Sequence, residues 1–306
     1  MRRREFITAT TTMTAAAAMP LIAARPYAVG TTDVIRLRSG LDALTALDAT
    51  RGGHEALEQA ALAGSAEALE LQKRAASQRI RQRLFSLAAN YTASAAWSAV
   101  DARQSDRAQG HLNRALYLAG MGKDPVAELR VWNAHAMLSN HRGEFLQAVE
   151  AGKAAQTTAV TRRDPLFASL AQARTAIGYS KLRDRQGALR SLGRAEEALM
   201  KAASDESRPS WVAFYGTAEL LAITAIVRDD IGDPAEAEAA SHRALAAIPQ
   251  QFRRNRALAT LQLALTQLHQ RDIDQACATA GEMFALMDGC PLPGRMRSYL
   301  GDFTVT

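Results

Sequence analysis

The chain has 306 residues, 48% of them apolar and only 6% aromatic, enough for one large domain or two small ones but too poor in Phe, Trp and Tyr for a β-sandwich core. Abundant alanine points instead to closely packed helices, an all-α fold. The net charge of +6 is mostly arginine interleaved with Asp and Glu along amphipathic segments, which makes a solvated mixed-charge surface and no stripe for nucleic acid.

Residues 1–30 form a unit of their own. Arg3-Arg4-Glu5-Phe6-Ile7, followed by the weakly apolar run from Thr8 to Ala24, resembles a twin-arginine export signal. Ile22 stands where a cleavage site wants a small residue, and the run is too short and threonine-rich to span a bilayer. The leading expectation is a flexible leader or interdomain linker of a cytoplasmic protein, with export as the alternative. No other stretch is apolar and charge-free for about 18 residues, so membrane integration is not expected.

Residues 31–77 read as an N-terminal cap. Asp33–Asp48 and Glu55–Leu71 are amphipathic and are separated by Arg51-Gly52-Gly53, which predicts two helices covering the end of whatever follows.

Residues 78–306 carry a self-similarity with a period near 40 residues. Ala108, Ala148, Ala188, Ala237 and Ala276 anchor it, at spacings of 40, 40, 49 and 39. Twelve positions earlier stand Ala96, Ala136, Ala176, Ala225 and Ala264; seven positions later stand Ala115, Ala155, Ala195, Ala244 and Met283. Seven residues are two helical turns, so each anchor and its follower share one face of one helix. The gap of twelve crosses a turn and puts the earlier alanine on the preceding helix.

Small side chains at these points let paired helices approach closely and let the next pair stack on them. Pro125, Pro165, Pro209 and Pro249 fall ahead of the first helix of each new pair. Asp124-Pro125 and Asp164-Pro165 have the form of an N-cap followed by proline at the first helical position. Gly143 and Gly232 sit five residues before their anchors, in the turn between paired helices. Ser204 to Ser210, a polar Pro-containing stretch, accounts for the one long spacing and reads as a longer loop dividing the array.

Small residues at three positions, glycine in the turn and proline near the end of each unit resemble degenerate tetratricopeptide repeats over Gln78 to Asp288, with Trp132 and Leu221 in the first large apolar slot and Tyr179 in the usual tyrosine position. The resemblance implies a right-handed superhelical stack of about five helix pairs. Four segments, DVIRLRSGLDALTALD from Asp33, WVAFYGTAEL from Trp211, FRRNRALA from Phe252 and DIDQACATA from Asp272, are further similar to the C-terminal halves of bacterial helix-turn-helix regulators of the Xre type. Those proteins also tend to have an alanine-rich RRxF stretch between domains, resembling Arg3 to Pro20. This implies the sensor half of a transcriptional regulator without its DNA-binding domain. No DNA-contacting residue is carried over, and direct DNA binding by this chain is not expected.

The chain has no HExxH, GxSxG, phosphate loop or GxGxxG, and neither enzymatic activity nor a cofactor is expected. His135 and His141 do not share a helix face; one is expected packed and one solvated. Asp229-Asp230 and Glu196-Glu197 are adjacent carboxylates pointing apart, read as surface charge. Trp211, Phe214 and Tyr215 at i, i+3, i+4 read as one helix face in the core. Cys277 and Cys290 lack any zinc spacing; Cys277 reads as a small buried apolar residue in a helix, Cys290 as part of a turn.

In tetratricopeptide-like stacks the first helix of each pair lines a concave groove. Mapped through the alanine register, groove positions hold Asn90, Trp97, Arg130, Asn133, Asn140, Arg174 and Lys181, and then Glu219, Ile223, Ile226, Leu261 and Leu265. The groove is expected polar and basic at its N-terminal end and apolar toward the C-terminus, suited to a peptide or protein partner with a carboxylate or acidic side chain. A homodimer is left open. The overall expectation is a non-enzymatic regulatory or adaptor protein.

Overall fold

The structure, a computed structural model, describes residues 28–51, 54–203, 206–287, 292 and 294–305. The twin-arginine-like leader up to residue 27, Gly52 and Gly53 of the expected interhelical break, the first two residues of the Ser204–Ser210 loop, Asp288 and Cys290 lie outside them. The described residues are all-helical: α1 (Thr31–Arg51), α2 (Glu55–Gln72), α3 (Gln78–Asp101), α4 (Ser105–Gly122), α5 (Pro125–His141), α6 (Phe145–Thr157), α7 (Pro165–Lys181), α8 (Arg185–Met200), α9 (Thr217–Asp230), α10 (Pro234–Ala247), α11 (Arg253–His269), α12 (Ile273–Met287) and α13 (Gly294–Val305), with a single 3-10 turn at Ser210–Val212.

Local sequence accounts for the boundaries. Asp124 Oδ1 accepts from the backbone N–H groups of Val126 and Ala127, at 2.9 and 3.1 Å, and Asp164 Oδ1 accepts from Leu166 N–H at 2.9 Å. Pro125 and Pro165 occupy the first helical positions, where their missing N–H groups have no helical partner to lose. The turns inside the pairs share one device. Arg103, Gly143, Arg183, Gly232 and Arg271 all have φ between 61° and 80°, and each lies five residues before its anchor alanine. Two of the five use glycine, the residue suited to this left-handed conformation; three use arginine and bear the Cβ clash.

Helices pack in neighbouring pairs: α3 with α4, α5 with α6, α7 with α8, α9 with α10, α11 with α12. The alanine register lies between them, and every one of its fifteen positions, Met283 included, is at most 1% exposed. Along the molecule the first helices α3, α5, α7, α9 and α11 touch in sequence, whereas the backbones of the second helices do not approach one another. The result is one continuous row of first helices, with each of α4, α6, α8 and α10 packed against its own first helix and the next one.

The row bends until its ends meet. Arg254 of α11 forms a buried ion pair with Asp101 of α3, and α13 also reaches α3, where a Cβ on Gly294 would stand 2.7 Å from the Asp101 carbonyl oxygen. The cap is more than an end cover. α2 lies against α3, but α1 runs from α3 to the 3-10 turn and α11, bridging the two ends.

The long connection after α8 is pinned by Arg208, whose Nε and Nη2 hold both carboxylate oxygens of Asp164 at 2.7 and 2.9 Å. This delivers Trp211 against Phe167, with ring centroids 6.0 Å apart, and Tyr215 to Ser169 Oγ at 2.7 Å. Trp211 and Tyr215 are core residues as expected, but they share no helix face: Trp211 is on the 3-10 turn, and α9 starts only at Thr217. Pro209 and the extended backbone at Gly216 (φ 178°) break the helical period that their spacing suggested. Cys277, expected buried, is exposed; it sits one residue past the anchor Ala276, on the solvent side of α12.

Candidate functional site

The positions singled out as groove residues lie along the first-helix row, and most of them are spent on one another. Arg130 of α5 reaches back to α3, where Nη1 donates to Asn90 O at 3.0 Å and Asn90 Oδ1 at 3.1 Å, and Nη2 to Ser94 Oγ at 2.8 Å. Arg174 of α7 donates from Nε to Asn133 Oδ1 of α5 at 2.9 Å and pairs through Nη2 with Glu219 of α9 at 3.6 Å. Lys181 Nζ and Ser180 Oγ both bind Asp230 at the end of α9, at 2.6 and 2.8 Å. These are charge-assisted rungs between residues 36 to 50 positions apart in sequence, one step of the repeat each.

Asp229 and Asp230 correct an expectation. Their side chains do point apart, but neither is surface charge: Asp230 turns back to α7, while Asp229, 5% exposed, turns forward to Gln262 Nε2 at 3.1 Å and His269 Nδ1 at 2.9 Å on α11. Two consecutive carboxylates thus tie α9 to both of its neighbours. Glu196 and Glu197 are exposed, as expected. The ladder ends where Arg254, buried against Asp101, also faces Asp48 of α1 at 3.7 Å.

The remaining two groove positions are differently placed. Trp97 packs against the α3–α4–α5 core, and both polar atoms of the Asn140 carboxamide are shut off from solvent with no hydrogen-bond partner among the described residues. The expected apolar end of the groove is not open either. Ile223 and Leu261 are at most 1% exposed and belong to the core, because the meeting of α3, α1 and α11 closes that side.

The electrostatics follow from burial. Removal from water pulls the Arg130 guanidinium down to about 10, against the weaker opposing pull of Asp48; its counter-surface is the Trp211 ring, 5.5 Å away, a cation–π arrangement. Burial would lower Arg254 too, but Asp101 and Asp48 outweigh it and hold its pKa above the ordinary value. His135, tilted against Trp132 at 5.5 Å, is pushed down by burial to about 4 and is neutral at physiological pH. His141 is also partly buried, so the expected split into one packed and one solvated histidine does not hold.

Among the described residues no group of three or more His, Cys, Asp or Glu side chains could hold a metal ion, and no helix is long and apolar enough to cross a membrane. The ladder was not readable from the sequence, because its rungs join different residue types at separations that vary with each connection. The one available signal was a basic or amide residue recurring at the same register position of successive first helices. Comparison with known proteins adds no relative: no family model matches the chain and no curated protein matches it.

Proposed function

We propose that this chain is a non-enzymatic regulatory or adaptor protein, a right-handed superhelical stack of tetratricopeptide-like helix pairs that takes a peptide or protein partner along its row of first helices. The observation that carries the reading is the recurrence of polar and basic side chains at matching positions of that row: Asn90 and Ser94, then Arg130 and Asn133, then Arg174 and Lys181. Arg130 is the member best placed for a partner. Its Nε has no hydrogen-bond partner among the described residues, so it is free to donate to a carboxylate or carbonyl of an incoming chain. The resemblance to Xre-type sensor halves supports a link to transcriptional regulation in the cytoplasm.

Affinity capture with the intact chain and with Arg130→Gln tests this, circular dichroism verifying that both fold. Partner recovery is expected to fall by about tenfold or more, the loss of one charge-assisted contact. The same proteins at the same yield would remove the first-helix row as the binding surface.

A further inference from the structure

The connections between pairs share one edge of the molecule. The first helices run parallel, since the rungs join residues one repeat apart, so the starts of α3, α5 and α7 stand side by side. Local contacts tie that edge together. A Cβ on Gly122, at the end of α4, would stand 2.8 Å from Ser86 N near the start of α3; Ser86 Oγ donates to the carboxylate of Asp124, the N-cap of α5; and Asp164, the N-cap of α7, holds Arg208 of the connection after α8.

This edge gathers cations that nothing neutralises. Arg74, Arg79 and Arg81 come from the α2–α3 connection and the first turn of α3, Lys123 from the α4–α5 connection, and Arg162 and Arg163 from the α6–α7 connection. All are exposed, and none of these side chains has a partner among the described residues. The neighbouring acids are occupied: Asp33 accepts from Gly30 N–H, Glu70 holds Lys73, Asp124 caps α5 and takes Ser86, and Asp164 holds Arg208. Glu128, in the first turn of α5, is the exception. At the opposite edge, where the turns within pairs lie, charges are matched instead: Arg142 pairs with Asp106 and Glu144, and Arg185 and Arg228 with Asp233.

Apolar side chains protrude beside the unmatched cations. Tyr117 and Met121, 68% and 44% exposed, line an open groove on the last turns of α4 just ahead of Lys123. Met200, 80% exposed, ends α8 next to Lys201 at the following connection; Glu196 and Glu197, exposed a turn further back, dilute the charge there.

We propose that this edge docks on an anionic lipid surface, with the arginines and Lys123 over the headgroup phosphates, Met121 and Met200 entering the acyl boundary and Tyr117 at headgroup depth. The cations alone would suit any polyphosphate, and the methionines decide between them. A nucleic-acid backbone has no apolar phase to receive such side chains, whereas a bilayer interface takes both kinds of group at adjacent depths. The docking is peripheral, since no described helix is long and apolar enough to cross a membrane. It uses a surface separate from the first-helix row and does not rest on that row binding a partner.

Co-sedimentation of the full chain with vesicles at physiological salt tests this, using phosphatidylcholine alone and phosphatidylcholine with one-third phosphatidylglycerol. The chain should sediment with the anionic vesicles and not with the neutral ones. Each cation near an anionic surface contributes about fivefold to partitioning, so Arg79→Gln/Arg81→Gln/Arg162→Gln should bind about 100-fold more weakly. Arg103→Gln/Arg183→Gln/Arg271→Gln removes the same charge from the opposite edge and should bind like the unmodified chain, because screening confines the attraction to the docked surface. Met121→Ser/Met200→Ser should bind at least about fivefold more weakly. Circular dichroism verifies that each variant folds. No binding to the anionic vesicles, equal binding to the neutral ones, or equal weakening by the two arginine variants overturns the inference. An unaffected methionine variant overturns the choice of lipid, as does a DNA duplex bound more tightly than the vesicles and lost with Arg79, Arg81 and Arg162.

Discussion

Between the helices of a pair the register side chains are small and fully buried; between one pair and the next along the first-helix row the contact is arginine on asparagine, or lysine and histidine on aspartate. The first kind has no direction and depends on distance alone, so a larger side chain is accommodated only where the partner helix leaves room, as at Met283. The second kind depends on partner and angle, and a rung that loses one member leaves a buried polar group behind. One set brings helices together, and the other decides which helices stand side by side.

The sharpest way to break the comparison is at the ladder's closing rung. Arg254→Ala should lower stability by about 3–5 kcal/mol, because Asp101, fully buried, loses its counter-charge. Replacing both residues with apolar ones, Arg254→Met with Asp101→Leu, should recover much of that loss in urea unfolding. A full loss retained in the double variant would mean that this rung contributes more than the removal of an unpaired charge explains.

The close-contact side is sharpened by two glycines on one helix. A Cβ on Gly122 of α4 would stand 2.8 Å from Ser86 N of α3, whereas Gly110, exposed on the same helix, has nothing within 4 Å. Gly122→Ala should destabilise by about 1–3 kcal/mol through backbone displacement, and Gly110→Ala should stabilise by about 0.5–1 kcal/mol through helix propensity. Opposite signs in thermal unfolding are the expected result; equal signs would mean that α3 and α4 do not rely on close approach.

The smallest effect lies in the turns. At Arg271 (φ 66°) glycine would relieve a Cβ clash of about 1–2 kcal/mol and add about 0.5–1 kcal/mol of unfolded-state entropy, so Arg271→Gly should raise stability by about 0.5–1 kcal/mol, read as a rise in Tm. A fall would show that the arginine side chain contributes more than its backbone strain takes away.

What was legible in the sequence divides along the same line. The alanine register and the Asp124-Pro125 and Asp164-Pro165 caps are written in short-range patterns, seven residues or two apart, and the structure places all of them as read. The left-handed turns were half visible: Gly143 and Gly232 announce themselves, but Arg103, Arg183 and Arg271 look like any surface arginine. Arg254 carries no distinguishing signal inside FRRNRALA, because its partner Asp101 lies 153 residues away. The three-and-four spacing of Trp211, Phe214 and Tyr215 misleads because Pro209 and Gly216 flank it, and backbone geometry there overrides side-chain periodicity.

The meeting of α3 with α11 limits how such a molecule can change over time. An open stack can gain or lose a unit at little expense, since each unit answers only to its neighbours. Here, duplicating or deleting one helix pair would carry Asp101 and Arg254 out of reach of each other and strand α1 at a terminus it no longer spans. The number of pairs is thereby locked by closure, and variation is channelled into loop length, as in the connection that carries Trp211.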